Sequence, residues 1–333
     1  MKLYVSRMSK IIIVLCLLMM ISCSTIDYIS NGDHHLRENR SKNEISLLTY
    51  NIKAIYDKEE GQIDSLMRYI NKEKFDFVLF QELFDESTRD EIIEKSDTSV
   101  YTTFISRVDY NSFPEFLFQD AGLYMMSSYP RIDLSEIEFG GDVKSSNGVV
   151  HMILDKEMSR TNDFLANKSV MGALFAINDT TRLFLFTTHV QAIGTREHKL
   201  FQMKQIYSFI ESTVTKVVNS RFVNSSENLI VILAGDFNSN AYSPESFQAM
   251  ENILGNPRDL HMEFNGNKQE FTWRFRSTSS PRRFDYILAY DTLGTNTFRK
   301  VAATSINTKD IQDNQNNSIS DHKALQAKIR FNG

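Results

Sequence analysis

Short apolar runs that end abruptly in polar residues constrain the fold of this chain more than any other feature. Three of them comprise residues 77–80, 183–186 and 229–233, and three further runs adjoin polar residues in the same way, at 45–48, 284–288 and 324–329. The first three are apolar on both faces, which is typical of strands buried on both sides of a sheet. The chain is therefore expected to fold around sheets whose strand ends carry polar side chains.

Segments with one apolar helical face lie between these runs, at 63–70 and 203–217. Ser243 followed by Pro244 is typical of a helix start, with serine as the N-cap and proline at the first helical position. The middle of the chain contains shorter runs that favour hairpin strands, at 122–126, 149–154 and 171–177. Together these patterns predict an α/β fold in which two sheets pack against each other with helices outside.

The N-terminus has the features of an export signal. Three basic residues precede an uncharged apolar run at 11–21, which is too short to span a bilayer comfortably. The run ends in Ser22 and Cys23, which resembles the site at which bacterial lipoproteins are cleaved and acylated. We expect a lipoprotein signal peptide at 1–22 and a lipid anchor at Cys23, which would hold the exported protein at the bacterial cell envelope. Outer-membrane sorting and secretion are variants of this expectation; an uncleaved anchor and ordinary signal cleavage are the alternatives.

Residues 23–44 are polar, poor in aliphatic side chains and without periodicity, which favours a flexible tether. Residues 45–333 contain no second linker and no repeat, so we expect a single catalytic domain there. The two cysteines of the chain, Cys16 and Cys23, both precede this domain. The domain must therefore be stabilised by its hydrophobic core rather than by a disulfide, and we expect it to act as a monomer.

The charge balance gives no strong sign of a nucleic-acid partner. The chain has 37 Lys and Arg against 42 Asp and Glu, and the predicted signal peptide contributes three of the basic residues and none of the acidic ones. A protein that binds phosphate backbones is more often basic. A local basic groove is nevertheless compatible with a negative net charge of the whole protein.

Polar residues at the strand ends form a candidate site if those ends converge at one edge of the sheets. The candidates are Asn51, Glu82, His189, Asp236, Asn238, Asp285, Asp321 and His322. Asp236 and Asn238 are two positions apart on an extended segment, so their side chains point to the same side. Oxygen ligands without thiolates suit Mg²⁺ or Mn²⁺ rather than zinc. Such a cation polarises phosphoryl oxygens, and histidines exchange protons near neutral pH.

Six motifs occur in the order found in the endonuclease/exonuclease/phosphatase superfamily. They are LTYNIK at 48–53, FQEL at 80–83, TTHVQA at 187–192, LAGDFNS at 233–239, RRFDYIL at 282–288 and SDHKAL at 320–325. The chain resembles this superfamily over nearly all of its length after the tether. The resemblance implies a four-layered α/β sandwich, in which two packed mixed β-sheets are flanked by helices, and a metal-dependent phosphodiesterase activity.

Two segments make the bacterial neutral sphingomyelinases the nearest resemblance within the superfamily. The stretch THVQA resembles their His-x-Gln-Ala motif, and residues 163–169 resemble a stretch of the secreted enzymes. Phe164 and Ser169 depart from that stretch, which has Cys and Gly at these positions, and no aromatic-tipped hairpin is evident between 289 and 320. The implied reaction converts sphingomyelin, a phospholipid presented at a membrane surface, into ceramide and phosphocholine.

The resemblance also implies the metal ligands. Glu82 would bind the essential divalent cation, and Asn51 and Asp321 would lie close to it. The expected cation is Mg²⁺, with Mn²⁺ or another divalent ion as the alternative.

The remaining candidates are implied to be catalytic. Asp236 and Asn238 would hold the phosphate and position the attacking water. His322 would be the general base, oriented by Asp285. His189 would stabilise the phosphoryl oxygens or protonate the leaving alkoxide.

The sequence is also compatible with two other functions. One is a nuclease or small phosphoester hydrolase with the same metal site, because substrate choice depends on loops. The other is a catalytically inactive lipoprotein that uses the scaffold for surface binding. Aromatic segments at 113–118 and 271–275 are expected in the core, with lipid contact as the alternative, and Lys168 is expected either to meet a phosphate or to be solvated.

Overall fold

The computed structural model describes residues 28–30, 43–55, 58, 61–106, 120–146, 148–157, 166–266, 268–273 and 282–332. The predicted signal peptide, Cys23 and the aromatic segment 113–118 lie outside these residues, as do positions 163–165 and 274–275. Lipid attachment at Cys23 therefore stays a prediction. Within the described part of the chain, no helix is both long and apolar enough to span a bilayer.

The described residues contain seventeen strands and five α-helices, and β4 to β10 follow one another without an α-helix between them. In chain order the strands are β1 (Tyr28–Ser30), β2 (Glu44–Ala54), β3 (Phe77–Leu83), β4 (Thr103–Ile105), β5 (Tyr124–Ser127), β6 (Arg131–Ile132), β7 (Lys144–Ser146), β8 (Val149–Leu154), β9 (Lys168–Ala176), β10 (Arg182–His189), β11 (Leu229–Asp236), β12 (Arg258–Asp259), β13 (Asp285–Tyr290), β14 (Thr292–Leu293), β15 (Asn296–Thr297), β16 (Val301–Lys309) and β17 (Ala324–Phe331). The α-helices are α1 (Gln62–Glu73), α2 (Glu86–Lys95), α3 (Arg196–Val218), α4 (Pro244–Ile253) and α5 (Leu260–Asn265).

Two large mixed sheets contain most of these strands. The first has the order β1-β4-β5-β3-β2-β17-β16, and the second has the order β12-β13-β11-β10-β9-β8-β7, with β6 also paired to β9. The pair β2–β3 is parallel in the first sheet, and the pair β10–β11 is parallel in the second. Because parallel strands end at the same edge of a sheet, each pair brings two sets of polar residues together.

Alternating side chains on these strands build a layered core. Leu47 and Ile232 belong to a cluster that contains residues of both sheets and lies between them. Their neighbours Leu48 and Val231 belong to separate outer clusters that include α1 and α3, respectively. The order of layers is helix, sheet, sheet, helix, so the predicted four-layered α/β sandwich is confirmed.

The helices follow the predicted apolar faces, with one difference at a helix start. The apolar residues that α1 buries include all four of its predicted face, Ile63, Leu66, Met67 and Ile70. Helix α4 begins with Pro244 as predicted, but the Ser243 side chain caps no backbone N–H. The Ser243 hydroxyl lies 3.1 Å from the hydroxyl of Ser246 instead. The predicted N-cap position and helix start are therefore confirmed, although the Ser243 hydroxyl contacts a side chain rather than a backbone N–H.

One part of the predicted flexible tether is paired in a sheet. Residues 28–30 form β1, which pairs antiparallel with β4 at the edge of the first sheet. Backbone hydrogen bonds to an edge strand require only an extended segment, which the polar composition of 23–44 does not exclude. The expectation of a spacer is therefore wrong for these three residues.

A buried histidine makes the stability of the domain sensitive to acid. His151 on β8 is buried, and burial, helped by the charge of Lys144, lowers its pKa from 6.5 to about 4. Between pH 6.5 and 4 the unfolded chain binds more protons at this residue, so stability falls as the pH falls. We expect the wild type to lose about 2 kcal/mol more than His151→Gln between pH 7 and pH 5, by urea denaturation.

His261, whose burial also lowers its pKa to about 4, is present in both proteins and cancels in this comparison. An equal loss of stability in the two proteins would show that His151 is not a source of the acid sensitivity.

Candidate active site

The predicted strand ends converge across the two sheets. Asn51 on β2 donates from Nδ2 to Glu82 Oε1 at 2.9 Å and to Asp236 Oδ2 at 3.0 Å. Glu82 belongs to β3 of the same sheet, whereas Asp236 ends β11 of the other sheet, where it is paired with His189. The Asn51 amide therefore joins the polar ends of both parallel strand pairs.

His322 and Asp285 form a hydrogen-bonded pair beside this junction. His322 Nδ1 lies 2.9 Å from Asp285 Oδ2, and His322 Nε2 lies 3.6 Å from Asp236 Oδ2. Burial lowers the pKa of His322, but the charges of Asp285 and Asp236 outweigh it and raise that pKa to about 10. Burial raises the pKa of Asp236 to about 7, against the opposing charge of His322. His322 and Asp236, 3.6 Å apart, therefore titrate as a coupled pair.

His189 presents a neutral ring to the same carboxylates. Its Nε2 lies 3.6 Å from Glu82 Oε1 and 3.9 Å from Asp236 Oδ2. Burial, together with the charges of Lys168 and His322, holds the pKa of His189 well below 6.5. Neither ring nitrogen has a hydrogen-bond partner among the described residues. Such an orphan donor in a polar cluster is a candidate for ligand contact.

Three residues in the site have a left-handed backbone that non-glycine residues rarely adopt. Lys53, Glu82 and Asn238 have φ values of 51°, 54° and 47°. All three line one cavity of about 700 Å³. The Asn238 side chain donates to the carbonyl of Val190 at 2.9 Å, and its backbone N–H donates to Asp236 Oδ1 at 2.9 Å. Strain of this kind is concentrated at functional sites, where the surrounding packing maintains it.

Asp321 is held at the site by Lys53, a residue that was not among the predicted site residues. The Lys53 ammonium donates to Asp321 Oδ2 at 2.7 Å. Burial raises the pKa of Asp321, but the hydrogen bond from Lys53 and the charge of His322 produce a net lowering. Ser320 was also missed: its hydroxyl donates to the Asn51 carbonyl at 2.7 Å and accepts from the His322 backbone N–H at 3.1 Å. The only sequence signal for either residue was its place inside a motif.

The predicted metal ligands have the oxygen chemistry that a hard cation requires. The Glu82 side chain is 20% exposed and adjoins Asn51, and Asp321 lines the same cavity. A second possible group is formed by Asp236, Asp285 and His322, whose donor atoms lie within 4.8 Å of one another. Asp285 is fully buried and already bonded to His322. The more accessible Glu82 side therefore fits a cation better.

The site opens on both sides into a continuous cleft. The first cavity shares Lys53, Trp273, Asp321 and His322 with a second cavity of about 850 Å³. Trp273 thus lines the cleft rather than the core. Lys168, for which solvation was one expectation, is buried on β9.

The residues that line the first cavity also include Arg196, Lys199 and Arg282, of which Arg196 is paired with the carboxylate of Glu245. The Arg282 guanidinium lies 5.6 Å from the centre of the Trp273 ring. This part of the cleft therefore favours negatively charged groups.

Gly235, immediately before Asp236, cannot carry a side chain. Its φ is 145°, and a Cβ would lie 2.1 Å from the carbonyl oxygen of Thr188 on the paired strand. We expect Gly235→Ala to destabilise the protein by at least about 3 kcal/mol in urea denaturation. Gly141→Ala is the matched control, since Gly141 has φ 63° but nothing within 4 Å of its Cβ, and it should cost about 1 kcal/mol. Equal losses would show that the contact with Thr188 is unimportant.

No protein-family model matches the chain, and no curated protein matches it. Among solved structures, TDP2 from D. rerio in complex with a single-strand DNA product has TM-score 0.58 and 16% identity, over 86% of this chain and 99% of that chain. A variant of beta toxin from Staphylococcus aureus with bound magnesium ions has TM-score 0.57 and 19% identity, over 85% and 99%. Sphingomyelinase C from Streptomyces griseocarneus has TM-score 0.56 and 18% identity, over 86% and 99%.

These similarities extend over most of this chain and nearly all of each other chain. Structural similarity at identities below 20% shows that the fold is shared. Substrate and activity depend on the residues of the site. The resemblance predicted from the six motifs is confirmed at this level: the chain has the fold of the endonuclease/exonuclease/phosphatase superfamily, which it shares with bacterial sphingomyelinases and TDP2.

Proposed function

We propose that this protein is a divalent-metal-dependent phosphodiesterase in which water attacks phosphorus in line with the leaving alkoxide. The observation that supports this most strongly is the junction of Asn51, Asp236 and the His322–Asp285 pair. Groups from both sheets meet there. Asp236 Oδ2 lies 3.0 Å from Asn51 Nδ2 and 3.6 Å from His322 Nε2. Such a cluster combines proton-transfer groups with anionic ligands at one rigid edge.

The cation would be held by Glu82, with Asn51 and Asp321 beside it, and Mg²⁺ is the ion that fits these oxygen donors best. When bound, it supplies positive charge that stabilises the phosphoryl oxygens and the leaving alkoxide.

The chain's own residues supply the proton transfers. Asp285 accepts from Nδ1 of His322, which leaves Nε2 facing Asp236 and the cleft. His322 is already protonated near neutral pH, because the nearby carboxylates raise its pKa to about 10. The Asp236 carboxylate of this coupled pair therefore takes the proton from water, because burial raises the pKa of that carboxyl to about 7. His189, held neutral, donates one ring N–H to a phosphoryl oxygen or to the leaving alkoxide. Asp236 and Asn238 position the water and the phosphate.

The cleft on both sides of His322 favours a diester over a monoester. A diester carries two substituents, and the two connected cavities of about 700 and 850 Å³ offer a place for each. A monoester would leave one of them without contact.

Sphingomyelin is our proposed substrate. The stretch at 187–192 and the partial match at 163–169 support it, as does the fold shared with sphingomyelinases. A nuclease is the second candidate, because Arg196, Lys199 and Arg282 line the cleft and suit a second phosphate. TDP2, which has the same fold, was solved with a DNA product.

Two assays with Mg²⁺ separate these candidates. One measures phosphocholine release from sphingomyelin vesicles, and the other measures cleavage of a single-stranded oligonucleotide and of plasmid DNA. We expect phosphocholine release without DNA cleavage. DNA cleavage without phosphocholine release would overturn the sphingomyelin proposal and leave the phosphodiesterase proposal standing, whereas inactivity on both and on bis(p-nitrophenyl) phosphate would overturn both.

We also propose that Cys23 carries a lipid that places this domain at the bacterial cell envelope. The proposal is supported by the apolar run at 11–21 and the Ser22–Cys23 boundary. Mass spectrometry of the mature protein should find acyl chains on Cys23, and Cys23→Ser should release the protein from membranes. An unmodified Cys23 would contradict the anchor.

A further inference from the structure

Thr272 joins the two segments that carry the His322–Asp285 pair. Its side chain is fully buried, and its hydroxyl oxygen accepts from the backbone N–H of Phe284 at 3.0 Å and of Asp285 at 3.2 Å. Its carbonyl oxygen accepts from the backbone N–H of Lys323 at 2.6 Å. One residue therefore holds the backbone at Asp285 and the backbone next to His322.

These hydrogen bonds of Thr272 matter because Asp285 and His322 belong to different sheets. Asp285 begins β13 of the second sheet, whereas His322 precedes β17 of the first sheet, and the two residues are 37 positions apart. No ladder pairs β13 with β17 in the described sheets. The adjacent Trp273 forms isolated bridges to Arg282 and to His322, which continues the same connection.

We propose that Thr272 is a positioning residue that sets the distance between His322 Nδ1 and Asp285 Oδ2; the catalytic part of this inference rests on the proposed phosphodiesterase activity. A hydroxyl at this place accepts from two buried N–H groups that a methyl group would leave unpaired. Movement of the Asp285 backbone would then displace its carboxylate from the 2.9 Å contact with His322. A small displacement of this kind lowers the rate of the chemical step more than it lowers the affinity for substrate.

Thr272→Val removes the hydroxyl and keeps the shape of the side chain. We expect kcat for bis(p-nitrophenyl) phosphate with Mg²⁺ to fall roughly 10- to 100-fold with little change in KM. Thr272→Ser keeps the acceptor and should retain activity within about threefold of the wild type. Thr213→Val is the matched control, because Thr213 is a buried threonine on α3 whose hydroxyl has no partner among the described residues. It should leave kcat and KM unchanged.

A spectroscopic measurement tests the same geometry without catalysis. The ring N–H of His322 that faces Asp285 should give a downfield proton resonance, assigned by its loss in His322→Ala. We expect the resonance in the wild type and in Thr272→Ser, and a shifted or broadened resonance in Thr272→Val. Because this signal does not require turnover, it tests Thr272 even if the wild type proves inactive on every phosphodiester.

Should Thr272→Val fail to fold, amide hydrogen exchange of the wild type provides the test. The backbone N–H groups of Phe284 and Asp285 should exchange as slowly as that of Tyr286 within β13. Fast exchange at Phe284 and Asp285 would overturn the proposal. An unchanged resonance in Thr272→Val would do the same, and so would a Thr272→Ser variant as defective as Thr272→Val.

Discussion

Replacing His322 by alanine is expected to lower kcat for phosphodiester hydrolysis roughly 10³-fold, with a much smaller effect on KM. Its ring bonds Asp285 at 2.9 Å and faces Asp236 at 3.6 Å, so its removal breaks the coupled pair that takes up the proton from water. A positioned acid or base contributes about 10²- to 10⁴-fold to such reactions. Steady-state kinetics on bis(p-nitrophenyl) phosphate with saturating Mg²⁺ provide the measurement.

His198→Ala is the control for this prediction. His198 lies on α3, is partly buried, and does not line the cleft. Circular dichroism of both variants separates loss of chemistry from loss of fold, because removing His322 leaves two buried carboxylates without their partner. A folded His322→Ala protein with wild-type kcat would show that the ring takes no part in the reaction. The catalytic residues would then have to lie elsewhere in the protein.

Glu82→Gln is expected to raise the Mg²⁺ concentration needed for half-maximal activity by at least about tenfold, because it removes the accessible carboxylate charge of the site. A chelator should abolish wild-type activity, and added Mg²⁺ should restore it. The measurement is a Mg²⁺ titration of the initial rate, accompanied by direct Mg²⁺ binding followed by calorimetry, so that affinity and turnover are read separately.

The matched control is Glu91→Gln on α2, whose side chain is 38% exposed and lies 3.6 Å from the ammonium of Lys95. It should titrate like the wild type. If Glu82→Gln bound Mg²⁺ as tightly as the wild type, the predicted ligand set would be wrong. The cluster of Asp236, Asp285 and His322 would then be the next candidate for the cation.

The layered fold could be predicted because it follows from local patterns. Runs such as 77–80 and 229–233 were apolar enough to require burial on both faces, and parallel strands bring their ends to one edge of a sheet. The convergence of Glu82, His189 and Asp236 therefore followed from strand direction and the order of motifs. Each of these residues lies at the polar end of a central strand, as the strand pattern predicts.

Other features of the site depend on tertiary contacts that no local pattern encodes. Lys53 contacts Asp321, which is 268 positions away, and Thr272 acts through backbone groups of two distant segments. The left-handed backbone of Glu82 is maintained by surrounding packing, because glutamate, unlike asparagine or glycine, rarely adopts it. The pairing of β1 with β4 uses only backbone hydrogen bonds, so composition alone indicated a spacer there.

Hydrolysis in ¹⁸O-labelled water shows directly whether water attacks phosphorus at this site. If the groups gathered around Asn51, Asp236 and His322 direct water to phosphorus, the phosphomonoester product must contain one ¹⁸O atom per turnover. Chelator and His322→Ala should each lower the amount of labelled product that forms. Mass spectrometry of the product gives the answer. Label in the released alcohol, or equal hydrolysis by wild type and His322→Ala, would show that these groups do not direct water to phosphorus.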